Sequence, residues 1–212
     1  MLEIEKIISP AMDVNSYIVW QENSKEAIVI DPSFETAKLL ACLQAEGLQC
    51  RAILLTHGHF DHIAGVKALK EQTGAEVAIH RLDAPLLTDA QKNLSAEFGA
   101  AISAFPADRE LEQSIYTFAG LEVKVLHTPG HSEGSVCYFI EDALFSGDTL
   151  FNLSIGRTDF PGSSWPQMQQ SLEKFKLIEG EYAIYPGHGY STSLAYEVDN
   201  NPYLGEEKWS LY

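Results

Sequence analysis

Short apolar runs alternate with amphipathic stretches along this chain. "AIVID" at 27–31 and "AILLT" at 52–56 are apolar and β-branched, bounded by Pro32 and Gly58, the pattern of strands buried on both faces. Between them "FETAKLLACLQAEG" predicts a helix that closes at Gly47. Ile63, Val66 and Leu69 recur at helical spacing, and Gly74 ends that run before "AEVAIH" returns to extended structure. The second half repeats the rhythm with "LEVKVLH" (121–127), "SVCYFI" (135–140), "ALFSGD" (143–148), a helix near 164–178, and "YAIYPGHG" (182–189). No Ser-, Gly- or Pro-rich linker, low-complexity tract or short repeat interrupts this order. The pattern predicts an α/β fold, sheets covered by helices, organised as a single domain over 1–212.

Composition narrows the classes. With 212 residues, 45% hydrophobic and 21% charged, the chain can bury a substantial core. Lys plus Arg number 14 against 30 Asp plus Glu, a formal charge of -16, which repels phosphate backbones and anionic membranes. Neither nucleic acid nor membrane is expected as a partner. The opening "MLEIEKIISP" is acidic where a secretory signal is basic, and no long uncharged span follows, so a cytoplasmic, soluble protein is expected. Cys42, Cys50 and Cys137 lack paired spacing and read as reduced, buried thiols. Glu206, Glu207 and Lys208 read as a solvated tail.

The chemistry concentrates where strands end. "THGHFDH" (56–62) follows an apolar strand; His57 and His59, two apart in extended backbone, project to one side and can reach one cation. Asp61 and His62 fall where the next helix begins, turned toward a second position. His131 in "HTPGHSEGS", Asp148 in "FSGDT" and His188 in "YPGHG" each follow a strand and a nearby glycine that lets the backbone turn sharply. Five imidazoles and two carboxylates make two pockets plus one carboxylate able to bridge them, a donor set that suits zinc first, with iron or manganese also acceptable. His80 and His127, also at strand ends, read as structural or supporting residues.

The order "THGHFDH", "HTPGHS", "SGDTLF", "PGHG", from "MDVNSYIV" (12–19) to "NNPYL" (201–205), resembles the metallo-β-lactamase superfamily; "IGRTDFPGSS" and "PGHGYST" are similar to short bacterial glyoxalase II-like hydrolases. The resemblance implies a four-layer αββα sandwich with pseudo-twofold halves. It also implies two metal ions per chain, with His57, His59 and His131 on the first, Asp61, His62 and His188 on the second, and Asp148 between them. His59 stands where flavodiiron-type members carry glutamate. The basic C-terminal helical domain of longer glyoxalase II enzymes is not expected after "NNPYL". The implied reaction is hydrolysis of small hydroxyacyl thioesters such as S-D-lactoylglutathione by a metal-bridging hydroxide, with Asp61 also orienting that nucleophile. Arg157 in "GRTD" has two readings, an approach to the substrate's carboxylate end or an ion pair with Asp159. Phe151 is expected beneath the site; Tyr190, Tyr196 and Tyr203 either line the pocket or pack with a C-terminal helix. Alternatives are a persulfide dioxygenase with a single iron, a lactone hydrolase, and a degenerate metal-binding module. The chain is expected as a monomer or small homo-oligomer.

Overall fold

A computed structural model describes residues 1–205. The acidic run at Glu206 and Glu207 with Lys208 lies outside the described residues. Two six-stranded sheets form the centre. The first holds, in order, β1 (Leu2–Ser9), β2 (Val14–Gln21), β3 (Glu26–Ile30), β4 (Gln49–Leu55), β5 (Glu76–His80) and β6 (Arg109–Leu111). The second holds β7 (Ile115–Phe118), β8 (Leu121–His127), β9 (Val136–Ile140), β10 (Ala143–Gly147), β11 (Ala183–Pro186) and β12 (Thr192–Ser193). Each half follows one plan: antiparallel neighbours first, then a parallel crossover through a helix. The crossover helices are α1 (Thr36–Glu46) from β3 to β4 and α4 (Trp165–Phe175) from β10 to β11.

Strand alternation divides the apolar residues into three layers. Tyr17, Ile28, Ile30 and Leu54 of the first sheet meet Val123, Val125, Tyr138 and Phe145 of the second, forming the core between the sheets. Ile18, Val29, Ile53 and Val77 point the other way, against Leu39 and Leu43 of α1 and Val66 and Leu69 of α3 (Val66–Thr73). On the far side Cys137, Leu144 and Ile184 pack with Met168, Leu172 and Phe175 of α4 and with Leu194 of α5 (Leu194–Asn200). Helix, sheet, sheet, helix is the four-layer sandwich expected, and the period of two in each strand builds it.

One expected element is broken. The run through Ile63, Val66 and Leu69 is two helices, α2 (Phe60–Ile63) and α3, separated at Gly65. Gly65 donates its N–H to the Pro32 carbonyl at 2.8 Å, and a Cβ there would stand 2.3 Å from the Ser33 carbonyl oxygen, so the chain turns against the β3 exit loop. The break leaves α2 free to aim Asp61 and His62 by itself. At the same end the sheets are laced together. Val136 N–H donates to the Thr56 carbonyl (2.8 Å), the Tyr138 hydroxyl to the Leu55 carbonyl (2.6 Å), and the Tyr17 hydroxyl to the Pro186 carbonyl (2.6 Å). Among the described residues no helix is long and apolar enough to cross a membrane. The cysteines are free thiols; Cys50 and Cys137 are buried, and burial pushes Cys50 up to about 12 and Cys137 up to about 11, which leaves both unreactive.

Candidate metal centre

All seven donors named from the sequence arrive at one edge of the sandwich, at the carboxyl ends of strands. His57 and His59 follow β4, Asp61 and His62 sit on α2, His131 follows β8, Asp148 follows β10, and His188 follows β11. Six are buried, and His188 is 25% exposed. The ligand atoms of His57, His59 and His131 lie within 4.8 Å of one another, as do those of Asp61, His62 and His188. Asp148 stands between the groups: Oδ1 is 3.4 Å from His62 Nε2, and Oδ2 is 3.4 Å from both His131 Nε2 and His188 Nε2.

The hydrogen bonds around the rings decide which nitrogens carry protons. His131 Nδ1 donates to the Arg157 carbonyl (2.8 Å), His188 Nδ1 to the Met12 carbonyl (3.0 Å), and His62 Nδ1 to Asp31 Oδ2 (3.0 Å). Each of these bonds leaves Nε2 turned inward. Inside, His131 Nε2 faces His59 Nδ1 at 2.8 Å, His62 Nε2 faces His188 Nε2 at 3.3 Å, and the buried His57 Nε2 and Asp148 Oδ1 have no hydrogen-bond partner. Imidazole nitrogens and carboxylate oxygens converge on one space, and two of these buried atoms find no protein partner in it. Buried polar groups are seldom left so, and a cation is what this donor set fits.

Electrostatics agree. Burial and the neighbouring imidazoles hold His57 well below its ordinary value and push His59 down to about 3, so both rings are neutral and able to ligate. Burial would lower His62 and His188 too, yet Asp148 and Asp61 raise them to about 9 and about 11. Burial would raise Asp148, but His62 and His188 hold it well below the carboxylate range. The carboxylates demand positive charge; protons on His62 and His188 supply it in the metal-free chain, and cations would displace them.

Two buried carboxylates missing from the sequence reading support this set. Asp31, with φ 48 in the left-handed region, accepts from Thr56 N–H at 2.8 Å and from the Thr56 hydroxyl at 2.6 Å as well as from His62. It groups with His57 and His62 by distance, but its oxygens are taken up by these three donors, so it orients His62. Its left-handed backbone at a strand end marks it in the structure, and nothing in the sequence does. Asp83 accepts from Gly58 N–H (2.9 Å), Gly134 N–H (2.7 Å) and the Ser132 hydroxyl (2.7 Å), tying the His57–His59 loop to the His131 loop. His80 and His127 lie outside the cluster, stacked with ring centroids 4.2 Å apart.

Arg157 lines the cavity over the donors, with its guanidinium held by Asp159 at 2.6 and 2.7 Å and its face 4.0 Å from the Phe160 ring centroid. Phe151 packs beside His188, centroids 5.8 Å apart. Tyr190, Tyr196 and Tyr203 do not line this cavity; Tyr203 meets Trp165.

Gly187 makes the shape possible. A Cβ there would stand 2.3 Å from Asp148 Oδ1 and 2.8 Å from His62 Cε1. Gly187→Ala should therefore displace two donors and weaken metal retention about 10- to 100-fold, the loss that follows disturbing a ligand's support. Competition with a chelator measures it; retention equal to wild type would mean the donors have more room than this packing allows.

The profile of the metallo-beta-lactamase superfamily matches residues 10–188. The hydroxyacylglutathione hydrolase GloC of Haemophilus influenzae is 31% identical over 212 residues, covering 97% of this chain and 100% of that protein. Among solved structures, the BLEG-1 B3 metallo-beta-lactamase is 36% identical with a TM-score of 0.90, covering 95% of this chain and 99% of its own. TTHA1623 in a di-iron-bound form is 38% identical with a TM-score of 0.84, covering 94% and 100%. With the αββα sandwich and the paired His/Asp clusters at its edge, the chain belongs to the metallo-beta-lactamase superfamily of metal-dependent hydrolases.

Proposed function

We propose that the cluster holds two divalent ions, zinc first among the candidates, and that the protein hydrolyses small hydroxyacyl thioesters such as S-D-lactoylglutathione. His57, His59 and His131 would hold one ion and Asp61, His62 and His188 the other, with Asp148 serving both. The observation that carries this is the Asp148 carboxylate, within 3.4 Å of inward-facing imidazole nitrogens from both groups, with Oδ1 buried and lacking any hydrogen-bond partner. Two such ions, when bound, supply Lewis acidity for a carbonyl oxygen and lower the pKa of a water. The similarity to a hydroxyacylglutathione hydrolase over the whole of that protein favours a thioester.

The chain's own residues do the rest. Burial opposes ionisation of Asp61, yet His62 and His188 hold its carboxyl below the ordinary value, so it is a carboxylate at neutral pH. It lines the cavity. One of its oxygens faces His188 and His62 (3.6 and 3.8 Å); the other would orient an attacking water and accept its proton. Arg157 would contribute charge to an anionic substrate only by exchanging Asp159, so Arg157→Ala should raise KM for the glutathione thioester by no more than about fivefold with kcat little changed.

Release of free thiol from S-D-lactoylglutathione and from a truncated carrier, beside oxygen uptake on glutathione persulfide, tests the reading. Thiol release without oxygen uptake is expected. No thiol from either thioester, with stoichiometric oxygen consumption, would replace the hydrolase by a dioxygenase.

A further inference from the structure

The cavity above the donors has a volume of about 340 Å³. Outside the donor set, its wall is built by Met12, Phe60, Leu94, Phe98, Phe151 and Phe160, with Gly156 and Arg157 completing it. Arg157 is the charged group on that wall beyond the donors, and its guanidinium is already engaged edge-on by Asp159 and face-on by Phe160. A substrate carboxylate would have to break a bidentate pair to reach it, in a chain carrying a formal charge of -16.

The apolar side is continuous. Phe60 is next to the donor His59 and is 6% exposed; its ring lies 4.9 Å from Phe98 and 6.4 Å from Phe34, which are 53% and 40% exposed. Met12, whose carbonyl receives His188, also lines the cavity and is 48% exposed. Aromatic surface thus extends from Phe60, beside the donors, to the exposed Phe98 on the same cavity wall. Large apolar side chains left open at a catalytic mouth are a contact surface waiting for an apolar group.

We propose that this wall is an acyl-chain subsite, and that the thioesters this protein handles best carry an extended, uncharged, apolar acyl group. The inference rests on the thioester-hydrolase reading and goes beyond it in the acyl group, which it extends from a small hydroxyacyl to a longer apolar chain. Water adds to the thioester carbonyl, the C–S bond breaks, and the proton passes to the departing thiolate; the products are a carboxylic acid and a thiol. The acyl chain lies along Phe60 and Phe98 while this happens, so each added methylene is buried in the transition state.

The test uses the full-length, metal-loaded protein with acetyl, butanoyl, hexanoyl and octanoyl thioesters of N-acetylcysteamine, a neutral carrier. Thiol release should show kcat/KM rising roughly fourfold for each methylene until the wall is filled, the increment expected for burying one CH2. Phe98→Ala, at a half-exposed position that does not threaten folding, should flatten that rise. In parallel, calorimetry should find octanoate binding at least about tenfold more tightly than acetate, with the difference reduced in Phe98→Ala. A flat or falling series with turnover present would overturn the subsite and leave the hydrolase standing. No thiol release at any length would overturn the hydrolase; octanoate binding no tighter than acetate would overturn the subsite whatever the kinetics.

Discussion

Asp148→Ala is expected to empty both halves of the centre. The carboxylate reaches the inward nitrogens of His62, His131 and His188, all at 3.4 Å, one from the first group and two from the second. Loss of this residue would take a ligand from each of the two proposed ions and leave the imidazoles without the charge that holds them together. Metal content should fall to well below one ion per chain, and turnover by more than about a hundredfold, beyond what losing a mere supporting partner costs. His188→Ala, which touches the second group alone, should spare the ion at His57, His59 and His131. If both variants lost the same single ion, Asp148 would not be shared.

Asp83→Ala is expected to give the largest loss of stability among the positions discussed. Its carboxylate takes two backbone N–H groups and a hydroxyl in a buried position, and among the described residues no other acceptor takes the Gly58 or Gly134 N–H. Gly58 and Gly134 are themselves packed so closely that a Cβ would meet Leu86 and Asp83 at 2.6 Å, so the loops cannot easily collapse into the space vacated. Leaving these donors unsatisfied costs about 3 kcal/mol or more, lowering Tm by about 6–12 °C for a chain of this size. Ser132→Ala, which removes one of the three donors, should cost about 1 kcal/mol. Thermal melting of metal-loaded protein checks both; a shift under about 2 °C for Asp83→Ala would show that the loops hold their positions without it.

Apolar runs made most of the central strands legible, and the alternation in "LEVKVLH" made β8 so, whereas β2, buried over most of its length, was not read as a strand because Asn15 and Ser16 interrupt its apolar run. β3, β4, β5, β9 and β10 have near-continuous buried runs, so apolar stretches bounded by turn residues announced them. β6 and β12 span three and two residues, and β7 buries only Phe118, so these edge strands leave no period to read. The cluster was legible because its imidazoles stand out at strand ends, where α/β folds bring side chains together. Asp31 and Asp83 were not, since a lone acid in an acidic chain looks like a solvated one until its hydrogen bonds are seen. The acyl wall was hidden for another reason: Leu94 and Phe98 lie between β5 and β6 in irregular turns, where hydrophobic spacing carries no structural period. At Arg157 the structure shows the ion pair with Asp159 on the cavity wall; its approach to a substrate is a matter for the KM comparison.

Elemental analysis of protein prepared with ample metal tests the central claim most directly. Two complete donor groups sharing Asp148 predict about two ions per chain, whether zinc or iron, with His188→Ala retaining about one. A single ion per wild-type chain, unchanged by His188→Ala, would contradict a dinuclear centre.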